Sequence, residues 1–174
     1  MFKKRGQIWI ETVIYTLIGL TIIGILLSII VPRINQINDK SLVLQSINVL
    51  NKIDEQISST LVASGNSRQI DLTFKKGEYF INPQENTITF ILSDSGLKYS
   101  ELGETTKQGE VSVLTLEQNR RYSIYLSLSY DYLNITYDMG KQNKTLSPSP
   151  IGYKIIAENN GKINSLNNIN LRVL

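Results

Sequence analysis

The chain of 174 residues contains no cysteine and no histidine. Without cysteine there is no disulfide framework and no thiolate metal site. Without histidine the commonest general base and the commonest metal ligand are both missing. A basic stripe is missing too, although the sequence pI is about 9.0. Lys3, Lys4 and Arg5 hold the whole net charge of +3; from Gln7 onward 15 basic residues (18 − 3) face 15 acidic ones. A balanced chain lacks the electrostatic footprint of phosphate binding, so nucleic acid is not an expected partner. No nucleophile–base pair, glycine-rich phosphate loop or metal-ligand spacing is present, so neither an enzyme nor a cofactor is expected. The carboxylates Asp71, Glu78, Glu85, Asp131 and Asp138 are scattered. The spacing of Asp131 and Asp138 matches no cation-binding loop.

What is present is an uncharged apolar run from Thr12 to Pro32, with Glu11 just before it and no further charge until Arg33. Ile8 to Val31 would make about 36 Å of helix at 1.5 Å per residue, enough to cross a hydrocarbon core of about 30 Å with some tilt. Helix is the only open structure that satisfies the backbone in lipid. Basic residues precede the run, so the N-terminus is expected in the cytoplasm and everything after Pro32 outside. A secretory signal peptide has a shorter apolar region and a small-residue cleavage site; Ile29-Ile30-Val31-Pro32-Arg33 offers none. An uncleaved anchor is the remaining simple alternative.

The residues around the start of the run resemble the processing site of archaeal type IV prepilins, the class III signal peptides. The basic hexapeptide ends in Gly6, the next residue is Gln7, and Glu11 stands fifth from there, ahead of the apolar helix. The resemblance covers about the first 32 residues. Trp9 departs from it, standing where the family often has a small residue. The resemblance implies cleavage after Gly6 by a prepilin peptidase. It also implies a membrane assembly platform and a cell-surface filament built from copies of this chain or related pilins. Before assembly the helix would lie in the lipid bilayer.

Glu11 has its own physical logic. A carboxylate at mid-bilayer costs about 3 kcal/mol or more, but one turn into a helix it can reach the interface and the positive end of the helix dipole. Cleavage after Gly6 would free an α-ammonium at Gln7, the natural partner of Glu11. The resemblance implies that the pair forms between subunits and sets their stagger. Thr12, Thr16, Gly24 and Ser28 share one i, i+4 ridge with Leu20 between them and Gly19 nearby. Small residues let helix backbones approach in an apolar medium, and they are also ordinary in membrane helices.

Pro32 predicts a kink or short break. Beyond it Val43, Ile47, Leu50, Ile57 and Leu61 recur at helical spacing, widened by Ile53. Such a stripe packs on something, either the domain that follows or a parallel coiled coil. Gly65-Asn66 is expected to end this helix. From Arg68 the period becomes two. Strands are predicted over 70–74, 78–82, 87–92, 111–117, 122–130, 133–137, 151–157 and 169–174. Long connections are predicted at 93–109 and 141–150, with a turn at Asn159-Asn160-Gly161. The expected class is α+β: a long N-terminal helix, transmembrane and then stem, followed by an antiparallel β-sandwich-like domain. The expected divisions are 1–6, 7–32, 33–66 and 67–174. Tyr122, Tyr125, Tyr130, Tyr132, Tyr137 and Tyr153 read as strand formers or as an exposed contact patch. Asn134 and Asn143 head two glycosylation sequons.

Two functions follow from these readings. One is a pilin-like subunit, processed after Gly6 and assembled into, or accessory to, a surface filament. The alternative is an uncleaved single-pass anchor whose β-domain binds a surface ligand or envelope partner.

Overall fold

The computed structural model describes the backbone from residue 3 to residue 174 and side chains from Trp9 onward. The expectations placed on Gly6 and Gln7 fall outside the residues described in full. The architecture is α+β: one helix, then a β-rich domain. The helix α1 spans Lys3–Thr60. Ten strands follow: β1 (Ser67–Leu72), β2 (Glu78–Asn82), β3 (Thr87–Ser95), β4 (Thr105–Gln108), β5 (Val111–Gln118), β6 (Arg121–Ser129), β7 (Leu133–Tyr137), β8 (Lys144–Leu146), β9 (Tyr153–Ile163) and β10 (Leu166–Val173).

The chain forms two compact units, Met1–Asn38 and Asp39–Leu174. The expected divisions put the whole stem with neither; instead the last 22 residues of α1, Asp39–Thr60, belong to the β-rich unit. In the first unit α1 is helical through Pro32, so of the kink or short break expected there the break does not form. Proline removes one ladder bond, to the carbonyl four residues back, and the helix carries on past it to Thr60.

In the second unit the strands form two sheets. The six-stranded sheet has the order β4-β5-β6-β3-β2-β8 and the four-stranded sheet β1-β9-β10-β7. All pairings are antiparallel except β10 with β7, where Ile169 stands beside Ile135. Side chains alternate across each strand, as a pleat requires. Ile88, Phe90 and Leu92 of β3 point inward with Ile124, Leu126 and Leu128 of β6 and Val111 and Val113 of β5. Ile155, Ala157, Ile169 and Leu171 line the inner face of the other sheet. Val43, Ile47, Leu50, Ile53 and Ile57 of α1 join the same core. The stripe read as a stem is thus a core element of the domain, and the coiled-coil alternative is not needed to bury it. Each such side chain contributes roughly 1.5–3 kcal/mol when fully buried.

Several boundaries differ from the expectation. The segment 93–109 is not all connection: β3 runs on to Ser95 and β4 occupies Thr105–Gln108. Likewise β8 interrupts 141–150. The Asn159-Asn160-Gly161 signal is not a turn but lies inside β9. The turn falls at Asn164 and Ser165, whose φ values of 50° and 71° are both left-handed, as a two-residue hairpin needs. Helix α1 stops at Thr60, five residues before Gly65, which therefore does not cap it.

Candidate functional site

The first unit presents a helix surface. Apolar side chains from Trp9 to Ile37 are exposed, with Trp9 at 72% and Tyr15 at 71%. An isolated helix half-covers its own side chains, so values near one half, as at Ile25 and Leu27, are those of a helix with nothing packed on it. By length and composition α1 can cross a membrane. Glu11 is exposed within this surface.

The small residues of the expected ridge behave as apolar surface. Thr16 Oγ1 donates to the Val13 carbonyl at 2.8 Å, and Ser28 Oγ to the Ile25 carbonyl at 2.7 Å. Thr21, outside the ridge, does the same to Leu17 at 2.8 Å. These hydroxyls spend their protons on their own helix and ask nothing of lipid or a neighbour. A Cβ placed on Gly19 or Gly24 would meet nothing within 4 Å, so both leave room for an approaching backbone.

In the β-rich unit the most constrained charge is Asp39, which is 4% exposed. Its Oδ1 pairs with Lys76 Nζ at 2.6 Å and its Oδ2 accepts from Ser95 Oγ at 2.7 Å. Ser95 in turn accepts from the Leu97 amide at 3.0 Å. A bulge in β3, where Asp94 takes φ 54°, shifts the pleat between Leu92 and Ser95 and turns Ser95 inward to meet Asp39. The sequence reading passed over this cluster. Its signal was available: Asp39 stands four residues before Val43 on the very stripe that enters the core.

The far end of α1 is held by β9. Asn159 is 2% exposed, and its Nδ2 donates to the carbonyls of Thr60 at 3.0 Å and Ala63 at 3.3 Å. Its Oδ1 accepts from the Gly161 amide at 3.0 Å. Two residues of β9, Asn160 and Gly161, oppose Asn168 alone, and Gly161 has φ 84°. The Asn-Asn-Gly motif therefore builds a bulge beside a long-range helix cap.

The tyrosines do not form one patch. Tyr130 is buried, Tyr132 is exposed, and the other four are half-buried at separate places. Tyr153 donates to the Ser147 carbonyl and stacks on Phe74; Tyr137 lies under Lys144 Nζ, 5.7 Å from the ring centre; Tyr125 is on the outer face of the six-stranded sheet, in β6. Burial pushes the Tyr79 phenol up to about 12, against a hydrogen bond with Ser46 of α1. Burial also raises the carboxyl of Asp54, with Glu110 adding to it. The buried Tyr130 hydroxyl beside Asp54 works against this rise, and by more than Glu110 adds to it.

The two sequons differ. Asn134 lies in β7 with its Nδ2 donating to Asn168 Oδ1 at 2.7 Å and its Oδ1 accepting from Lys141 Nζ at 2.6 Å. Lys141 also meets the carbonyls of Pro83 and Ile135, both at 2.7 Å, tying the β2–β3 turn to β7. Burial lowers its ammonium below the usual lysine range. Asn143 instead stands exposed just before β8. Asp131 and Asp138 are exposed. Among the described residues no group of three or more carboxylates could hold a metal ion.

Comparisons of the chain with protein-family models, with curated proteins and with solved structures find no match.

Proposed function

We propose that the chain is a non-enzymatic, type IV pilin-like subunit, cut after Gly6 and assembled through its N-terminal helix into, or as an accessory of, a cell-surface filament. The observation that carries this reading is a long helix whose apolar surface from Trp9 to Ile37 is exposed and carries a single carboxylate, Glu11. Such a surface must be covered by lipid or by other helices. The basic hexapeptide ending in Gly6, followed by Gln7, supports the choice of other helices. In this reading the apolar helix sits first in the bilayer as a single-pass span, N-terminus inward and β-domain outward. It then leaves for a bundle with copies of itself or related pilins, after the prepilin peptidase and at the membrane assembly platform. The new ammonium at Gln7 pairs with Glu11 of a neighbour. The ridge of Thr12, Thr16, Gly24 and Ser28, with Gly19, lets the helices close.

The test is Glu11→Ala. Surface filaments counted by electron microscopy should fall at least tenfold, while the β-domain unfolds at the wild-type urea midpoint. Filaments in normal number from that variant would remove the role of Glu11. The second reading, a tethered β-domain, is favoured by the same exposed helix if the hexapeptide is retained. It requires a binding surface on the strands and no polymer.

A further inference from the structure

The outer face of the six-stranded sheet has an order that solvent exposure alone does not require. One row across the strands is apolar: Ile91 of β3 stands beside Tyr125 of β6, and Tyr125 beside Leu114 of β5. The next row is hydroxylic at its centre: Thr89 stands beside Ser127, and Ser127 beside Ser112, with Phe80 of β2 beyond Thr89 and Lys107 of β4 beyond Ser112. Thr89 Oγ1 and Ser127 Oγ lie 2.9 Å apart, sharing one proton and keeping the other hydroxyl capacity free. On the opposite side of the apolar row Ser123 supplies a hydroxyl, with Leu116 of β5 beside it. All six of the paired side chains are half-buried. The face holds a concavity of about 430 Å³, and a second of about 390 Å³ adjoins it, both lined by Tyr125. Strand β6 beneath them runs about 27 Å from Arg121 to Ser129 at 3.4 Å per residue.

Charge narrows the occupant. In the second concavity Arg121 is paired to Asp94, Nε to Oδ1 at 2.8 Å, leaving no unpaired cation there for an anionic ligand. Among the described residues Glu85 is the only charged side chain lining the first, at its end, and Lys107 stands outside the lining, beyond Ser112. Serine is depleted in protein–protein interfaces, whose centres favour aromatic residues, methionine and arginine. A pyranose has one face of C–H groups and a rim of hydroxyls. An apolar row carrying the Tyr125 ring, with hydroxyls on each side and the Phe80 ring beside Thr89, is the complementary surface.

We propose that this face is a binding groove for a neutral oligosaccharide. The sugar rings stack over Ile91, Tyr125 and Leu114. Their hydroxyls bond to Thr89, Ser127 and Ser112 on one side and Ser123 on the other. The Glu85 carboxylate accepts hydroxyls at one end. The groove belongs to the β-rich unit alone and does not depend on filament assembly.

The experiment is isothermal titration of the full chain in detergent with neutral hexasaccharides of glucose, mannose and N-acetylglucosamine. A galacturonate hexamer serves as the charged comparator. At least one neutral sugar should bind, and the galacturonate at least tenfold more weakly. Tyr125→Ala should weaken the neutral sugar at least tenfold, and Tyr132→Ala should leave it unchanged. If Tyr125→Ala does not fold, Ser112→Lys decides, because it fills the groove from the outer face and leaves the core untouched. Binding of none of the neutral sugars would overturn the proposal. So would equal binding of galacturonate, or affinity that survives every folded groove variant. Measured on dispersed chains, any of these results leaves the filament reading standing, just as a retained hexapeptide leaves the groove standing.

Discussion

Two acidic residues of α1 show opposite relations between burial and charge. Asp39 enters the core already partnered, by Lys76 at 2.6 Å and Ser95 at 2.7 Å. Removing it strands a buried hydroxyl and a lysine, and lost hydrogen bonds to a charged group cost about 1.5–3 kcal/mol. Lys76 is 48% exposed and regains water, so the lower part of that range applies. Asp39→Ala should therefore destabilise the β-rich unit by about 2 kcal/mol, read as a lower urea midpoint at unchanged slope. Asp54 is half-buried, and its pKa is raised mainly by burial, with the Tyr130 hydroxyl beside it working against the rise. The folded state holds that proton more tightly than the unfolded chain. The contribution of Asp54 is therefore most favourable below its unfolded value near 3.8 and is lost as pH rises through the raised folded value. Asp54→Asn should be more stable than wild type at pH 7, with the gap closing as pH falls toward 4. Urea unfolding at the two pH values measures it, and a gap that widens on acidification would contradict the assignment.

At the scale of elements, each end of the buried half of α1 is met by a strand interrupted by a bulge. The bulge in β3 brings Ser95 to Asp39, and the bulge in β9 follows Asn159, which caps Thr60 and Ala63. Bulges re-aim side chains at the cost of a regular ladder. Asn159→Ala leaves the buried Thr60 carbonyl without its side-chain donor, at about 1–3 kcal/mol for a buried unsatisfied group, while the Ala63 carbonyl keeps the Asn66 amide at 3.3 Å. Hydrogen exchange should show faster protection loss in the last turn of α1 and the first residues of β1, with β5 and β6 unchanged. These devices explain what was and was not legible beforehand. The stripe Val43–Ile47–Leu50–Ile57 and the alternation of β2, β3, β5 and β6 are local periodicities, so they read directly from the residues. Asn159-Asn160-Gly161 has the composition of a turn, but a bulge uses the same left-handed glycine. Its role as a cap depends on Thr60, 99 positions away. β4, with every residue exposed, and the three-residue β8 carry no apolar alternation at all. Edge strands of this kind are held by pairing partners that no local window contains. Asp39 was hidden for another reason: a carboxylate on an apolar stripe reads as a polar interruption until Lys76 and Ser95 are brought to it.

At the scale of the whole molecule, the chain joins a folded β-rich unit to a helix segment that buries almost nothing of its own. The exposed apolar surface from Trp9 to Ile37 is the feature any function must accommodate. In the filament reading, other helices cover it; in the tethered reading, lipid covers it permanently. The two differ at one bond, between Gly6 and Gln7. Without cleavage there is no free ammonium four residues before Glu11, and the carboxylate has no reason to organise neighbours. Of the two sequons, Asn143 is exposed, whereas Asn134 has both ends of its amide engaged. Any glycan on the mature chain should therefore map to Asn143, a result that peptide mass mapping of the same sample would read. The decisive measurement is intact-mass and N-terminal peptide analysis of the protein sheared from its native cell surface. The expected result is a mature chain whose first residue is Gln7, recovered with filaments; a chain that still carries Lys3, Lys4 and Arg5 and stays in the membrane fraction would contradict it.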